Sequence, residues 1–185
     1  VDVIIGKVAL GQRIAFIGAG GIGFEVATLL THQGHAEDKY HWLRSWGVDP
    51  EYRSRGGLLD QAEGCYSGRS IYLLQRKPSR MGATLGKTTG WIHRTALKNA
   101  GVEMISGAKY ERIDDRGLHI SREGEARLLD VDQVVVCAGQ EPNRTLADEL
   151  QGSGMLVHVI GGADKALELD AERAIRQGAQ LATEI

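Results

Sequence analysis

Four apolar residues, Ile14, Ala15, Phe16 and Ile17, lead straight into Gly18, Gly20 and Gly23, and from there into residues 24–31, where Val26, Leu29 and Leu30 fall at helical spacing. Few chain paths suit that order. A strand has to turn tightly, expose its main chain and become a helix that packs back on the strand. Gly18 permits the turn, Gly20 lets a ligand approach the backbone, and Gly23 lets helix and strand touch. In this setting Gly18-x-Gly20-x-x-Gly23 reads as a dinucleotide fingerprint, with Gly20, Gly21 and Ile22 at the positive end of the helix to meet a pyrophosphate. The alternative is a glycine turn with a structural role alone.

The rest of the chain fits a nucleotide-binding α/β domain. A long polar stretch, 33–69, delays the second strand to 71–74; within it Trp42, Leu43 and Trp46 have helical spacing and predict a short helix. Residues 91–100 predict a helix closed by Gly101 in the left-handed cap position. Residues 102–105 predict a third strand. The short runs 109–115, 117–122 and 126–130 alternate like an antiparallel meander. The β-branched run 133–137 suits a central parallel strand buried on both faces, and 157–160 and 167–182 suggest a last strand and a last helix. The predicted architecture is a Rossmann-like three-layer α/β domain whose second crossover is a β-meander.

Composition narrows the partners. A formal net charge of −2 with 25% charged residues gives no electrostatic case for nucleic acid or an anionic membrane. No apolar run reaches bilayer length, and the opening residues lack the pattern of a signal peptide. The chain starts on Val rather than Met and is read as part of a longer protein. Cys65 and Cys137 form no CxxC pair, so neither a redox dithiol nor a cysteine-ligated cluster is expected within the chain, and the expected compartment is cytoplasmic. Cys137, after three valines, reads as a small buried residue.

The choice of dinucleotide turns on the end of the second strand, where NAD sites place a carboxylate and NADP sites place cations. Counting about twenty residues from the glycines reaches Glu37 and Asp38, but these fall in the polar insertion and not at a strand end. The delayed second strand ends at Gln75, Arg76 and Lys77, with Arg80 close behind and no carboxylate among them, and these four are the expected cofactor-binding residues of the turn. Arg76 has the planar fork that matches a phosphate, with Lys77 and Arg80 in support, and this points to NADP(H) over a solvated basic turn.

Other signals are discounted. Gly82, Gly86, Lys87 and Thr88 resemble a P-loop, but three residues separate the glycines where four are required, and no strand precedes them. His32, His35 and His41 lie in a polar loop without a fourth ligand, so no metal is expected. His93 and His119 complete no triad, and no catalytic residue is assigned within the chain.

Three segments carry a resemblance: residues 72–77, residues 86–94 (Gly86-Lys87-Thr88-Thr89-Gly90-Trp91-Ile92-His93-Arg94), and residues 135–143, ending Gly139-Gln140-Glu141-Pro142-Asn143. Together with Gly161-Gly162-Ala163-Asp164 and Glu168-Leu169-Asp170-Ala171 they resemble the C-terminal portion of the NADPH-dependent 2,4-dienoyl-CoA reductases. These are iron-sulfur flavoproteins related to old yellow enzyme and trimethylamine dehydrogenase. The resemblance implies an NADP(H) domain at 12–139 nested in an FAD domain, of which 1–11 and the returning segment 140–185 are partial pieces. It implies a partner within the same polypeptide, an N-terminal TIM barrel with FMN and an iron-sulfur cluster that would reduce the substrate. It places Gly139 near the cofactors and Asp164 near the FAD ribityl chain, where the residues alone suggest that Asp164 caps the last helix. A different reading is a structural adenine-nucleotide module without hydride transfer, as in relatives of trimethylamine dehydrogenase. The lack of an acidic residue at Gln75-Arg76 favours the first.

Overall fold

The computed structural model describes residues 2–31, 38–64, 68–167 and 169–185. They divide into two units, Val1–Ala138 and Gly139–Ile185.

In the first unit, strand β1 (Arg13–Ile17) runs into helix α1 (Gly21–Thr31). Helix α2 (Lys39–Ser45) follows, then β2 (Ser70–Gln75), α3 (Gly90–Asn99) and β3 (Glu103–Ser106). A meander, β4 (Lys109–Asp114), β5 (Gly117–Arg122) and β6 (Glu125–Leu129), precedes β7 (Gln133–Val136). The four strands β3-β2-β1-β7 form one parallel sheet in that order, and β4-β5-β6 form an antiparallel one.

Strand alternation explains the layering. Ile14 and Phe16 of β1, with Ile71 and Leu73 of β2, pack against Phe24, Val26 and Ala27 of α1 and Leu97 of α3. The intervening Ala15 and Leu74 face Leu118, Ile120 and Leu129 of the meander. Helices, parallel sheet and antiparallel sheet are therefore three layers, with apolar side chains on both faces of the middle one. Each large side chain fully buried here contributes about 1.5–3 kcal/mol.

The amino end of the parallel sheet is tightly laced. Asp132 accepts hydrogen bonds from the N–H groups of Gln12 at 3.1 Å and Arg13 at 2.9 Å, and from Arg13 Nε at 3.0 Å. Arg13 also pairs with Asp130. Gln133 accepts from Gly11 N–H at 2.6 Å and donates to the Ala9 carbonyl at 2.9 Å. Gly11 is glycine for want of room, since a Cβ there would lie 2.8 Å from Asp132.

The polar insertion is partly ordered by the tryptophans. Trp46 meets Trp42 at 6.3 Å and the edge of Trp91, on α3, at 6.4 Å, and Asn99 donates to the Ser45 carbonyl at 3.2 Å. Such aromatic pairs contribute about 0.5–1.5 kcal/mol beyond their burial. Asp38 caps α2 by accepting from Tyr40 N–H at 2.9 Å. The helix expected around Trp42 is thus present, and Gly101, at φ +78°, ends α3 as its sequence predicts.

Three expectations need correction. β7 is not a central strand: it ends the sheet, nothing pairs with its far side among the described residues, and Val136 is 66% exposed. Its neighbours Val134 and Val135 do pack on opposite faces, which is what the β-branched run signals. Residues 157–160 form no strand; no backbone lies alongside to complete a ladder among the described residues of the second unit, which carries only helices α4 (Thr145–Glu149) and α5 (Ala171–Glu184). Finally, α5 begins at Ala171 rather than 167, and its N-cap is Asp170, which accepts from Arg173 N–H at 2.8 Å, and not Asp164.

Candidate functional site

The carboxyl end of the parallel sheet gathers most of the residues singled out by sequence. Ile17 pairs with Leu74 on one side and Val136 on the other, so the turns that follow β1 and β2 lie one strand spacing apart, about 4.8 Å. Gly18, at φ +112°, donates its N–H to the Leu74 carbonyl at 2.9 Å, and a Cβ on it would lie 2.7 Å from the Cys137 carbonyl oxygen. A Cβ on Gly23 would run into the carbonyl oxygen of Gly18. Both glycines are demanded by the protein itself.

Gly20 and Gly21 are different. A Cβ on either would meet nothing within 4 Å, and neither has a positive φ. Protein packing gives no reason for glycine there. The free space sits in front of the first turn of α1, whose leading N–H groups have no intrahelical acceptor. Among the described residues no protein acceptor serves the N–H of Gly20, Gly21 or Ile22, and the first turn carries no acidic side chain. An anion is the natural occupant of such a place. The cradle that the absent side chains leave fits a dinucleotide pyrophosphate.

Beside it, Arg76, Lys77 and Arg80 are exposed in the turn after β2. Among the described residues neither Arg76 nor Arg80 pairs with a carboxylate. The Gln75 side chain folds back into this turn, with Nε2 2.9 Å from the Lys77 carbonyl and 2.6 Å from the Ser79 carbonyl. Across from it, Gly107 N–H donates to the Lys77 carbonyl and Ala108 N–H to the Gln75 carbonyl, both at 3.1 Å. The positive charge of Arg76 reaches the Tyr110 hydroxyl, whose pKa burial nevertheless pushes up. Asp38 is occupied as the cap of α2, while Glu37 lies outside the described residues, as do His32, His35, Cys65 and Glu168. Cys137 is half-buried against the helix-side core, and burial raises its thiol pKa.

The second unit holds Gly139, at φ +85°, and Asp164. Asp164 sits in a turn fastened from two directions. Gln177 donates to its Oδ2 at 2.9 Å and accepts from Gly161 N–H at 2.8 Å, while Arg144 donates to the carbonyls of Ala163 at 2.9 Å and Asp164 at 2.8 Å. Neither Arg144 nor Gln177 stands out in the sequence, because their contacts are to main chain and to a residue far along the chain.

A groove of about 380 Å³ lies against the meander, lined in part by Arg112, His119 and Leu128, and none of the predicted site residues lines it. His119 there bonds Asp114 at 2.9 Å and holds its carboxyl below the usual range. Among the described residues no three metal-ligating side chains come together, and no helix is long and apolar enough to cross a membrane.

Parallel sheet, glycine turn and open helix start together define a Rossmann-like nucleotide-binding module. Residues 3–171 match the family model of the pyridine nucleotide-disulphide oxidoreductases, and the chain belongs to that family. Membership points to FAD and NAD(P) as the ligands. A metal reductase of Desulforamulus reducens is 27% identical over 168 residues, which is 89% of this chain and 24% of that protein. Among solved structures, 2-naphthoyl-CoA reductase in complex with 2-naphthoyl-CoA superposes over 100% of this chain and 23% of its own, with a TM-score of 0.67 at 20% identity. Histamine dehydrogenase from Rhizobium sp. 4-9 does so over 100% of this chain and 25% of its own, with a TM-score of 0.64 at 13% identity. At these identities the structural likenesses carry the fold. The chain spans about a quarter of the length of each.

Proposed function

We propose that this chain is the NADP(H)-binding portion of a larger reductase with several cofactors. Residues 12–139 bind the dinucleotide, with the N–H groups of 20–22 on the pyrophosphate and Arg76, Lys77 and Arg80 on the phosphate that distinguishes NADP from NAD. Residues 1–11 and 140–185 belong to an FAD domain, with Gly139 and Asp164 towards the flavin. When bound, NADPH supplies a hydride to FAD. This chain's task is positional: it fixes the phosphates so that the nicotinamide is presented in one orientation. The parent would hold an iron-sulfur cluster and FMN in a TIM barrel outside this chain, and those groups would supply the reducing chemistry for a 2,4-dienoyl-CoA.

The observation that carries the NADP(H) assignment is the pairing of two glycines that packing does not require with two neighbouring arginines that have no carboxylate partner among the described residues. The larger parent is supported by the metal reductase and 2-naphthoyl-CoA reductase, which contain a segment of this kind within much longer chains. The dienoyl-CoA substrate rests on the resemblance in segments 72–77, 86–94 and 135–143.

Anaerobic mixing of the intact parent polypeptide with NADPH or NADH, followed by flavin absorbance, tests this. Rapid bleaching by NADPH and slow bleaching by NADH is the expected result. Equal bleaching by both removes the NADP(H) assignment, and none by either leaves the structural adenine-nucleotide module. Addition of a 2,4-dienoyl-CoA to the reduced protein then has to restore the flavin absorbance; failure removes that substrate.

A further inference from the structure

We infer that Gln75 selects the dinucleotide without touching it: its side-chain amide moulds the turn 76–80 into the shape that aims Arg76 and Arg80 at the adenosine 2′-phosphate. This rests on the NADP(H) reading above and adds a positioning residue to it. A primary amide has two N–H donors. Both are committed to the turn, to the Lys77 carbonyl at 2.9 Å and the Ser79 carbonyl at 2.6 Å. The Ser79 hydroxyl lies a further 3.4 Å from the same nitrogen. The Lys77 carbonyl is shared, since Gly107 N–H also donates to it at 3.1 Å, and the Gln75 carbonyl takes Ala108 N–H at 3.1 Å. The main chain of the turn is thus gripped from its own strand and from the link between β3 and β4. The guanidinium groups of Arg76 and Arg80 are left exposed, with no carboxylate partner among the described residues.

The chemistry requires an amide at this position. Glutamate has the same reach but only acceptors when ionised, so it cannot donate to two carbonyl oxygens. Alanine leaves those carbonyls to water and the turn to a wider set of conformations. An exposed turn that samples many shapes spends less time with Arg76 and Arg80 in register with one phosphate, and the loss falls on the phosphorylated nucleotide alone.

The test compares dissociation constants of NADPH, NADH and adenosine 2′,5′-bisphosphate for the full chain, Gln75→Ala, Arg76→Ala and the double variant. Loss of the two hydrogen bonds in Gln75→Ala is expected to weaken NADPH and the bisphosphate about tenfold while NADH changes less than about twofold. In the Arg76→Ala background the same substitution is expected to cost NADPH clearly less than it costs the parent chain, because part of what Gln75 does runs through that guanidinium and the rest through Arg80. Equal losses for NADPH and NADH, or losses that add in the double variant, overturn the inference. Failure of the underlying reading has a separate signature, an Arg76→Ala variant that keeps its preference for NADPH. Gln75→Met keeps the bulk of the side chain and guards against misfolding; its amide exchange at Gly107 and Ala108 is expected to quicken, and unchanged exchange there counts against the mould.

Discussion

The two ends of one parallel sheet are built on opposite principles. At the amino end Arg13, Asp130, Asp132 and Gln133 satisfy one another and the passing main chain, and Gly11 is glycine because Asp132 stands where its Cβ would be. At the carboxyl end Arg76 and Arg80 lack carboxylates among the described residues, helix α1 starts without an acidic residue, and Gly20 and Gly21 face open space. The same residue type, glycine, has a different cause at each end. Where the protein supplies the reason, the residue is structural. Where it supplies none, as at Gly20 and Gly21, the proposed ligand supplies it.

Substitutions can break this contrast. The largest effect is expected for Gly23→Ala, whose methyl group collides with the Gly18 carbonyl: about 2–4 kcal/mol of stability by denaturant unfolding, with nucleotide binding lost alongside. Next comes Arg76→Ala, expected to weaken NADPH by about 10–100-fold, as for a charged hydrogen-bonded contact, while sparing NADH and the unfolding midpoint. Equal losses for both nucleotides would sink the assignment of the turn. Gly20→Ala sharpens the contrast most directly. It meets no protein atom within 4 Å, so thermal stability is expected to hold while calorimetry shows about a tenfold loss of dinucleotide affinity; an unstable variant would return that glycine to the fold.

At the other end, Asp132→Asn is expected to lower the melting temperature modestly with nucleotide affinity unchanged, since its partners are Gln12, Arg13 and the Arg13 guanidinium. The pH dependence follows from the same carboxylate. The Arg13 hydrogen bond holds Asp132 below its ordinary value, as His119 does for Asp114 and the Ser54 N–H for Asp49. Folded values beneath unfolded ones mean that the unfolded chain takes up protons first on acidification. The stability is fully present above about pH 4 and is lost as pH falls through the folded values. Acid titration of Asp132→Asn is expected to show a shallower fall than the parent chain, and identical slopes would remove this carboxylate from the account.

Much of this was legible in the sequence wherever the cause is local. The strand-glycine-helix order at 14–31, the tryptophan-pinned α2 and the left-handed cap at Gly101 all depend on neighbours within a few residues. The delayed second strand was legible too, because the insertion announces itself by polarity. What escaped depends on distant partners. The run 157–160 is as apolar as a strand, but a strand exists only where another backbone completes it. Val134 to Val136 look buried from both sides, yet nothing in their chemistry says where a sheet stops. Asp164 reads as the cap of the last helix, but the helix starts later, and only the path of the chain gives the cap to Asp170. Gln75 could be placed beside a nucleotide by its position, but the direction in which its amide turns is set by carbonyls of the folded loop.

The link between β3 and β4 gives the meander a bearing on cofactor engineering. Gly107 and Ala108 hang on the carbonyls of Lys77 and Gln75, so the turn to which the proposal assigns nucleotide preference is only half of a two-piece joint. A graft of residues 75–80 from a protein with the opposite preference would arrive without its matching half. The unit that can be transplanted as a whole is the pair, 75–80 together with 107–108.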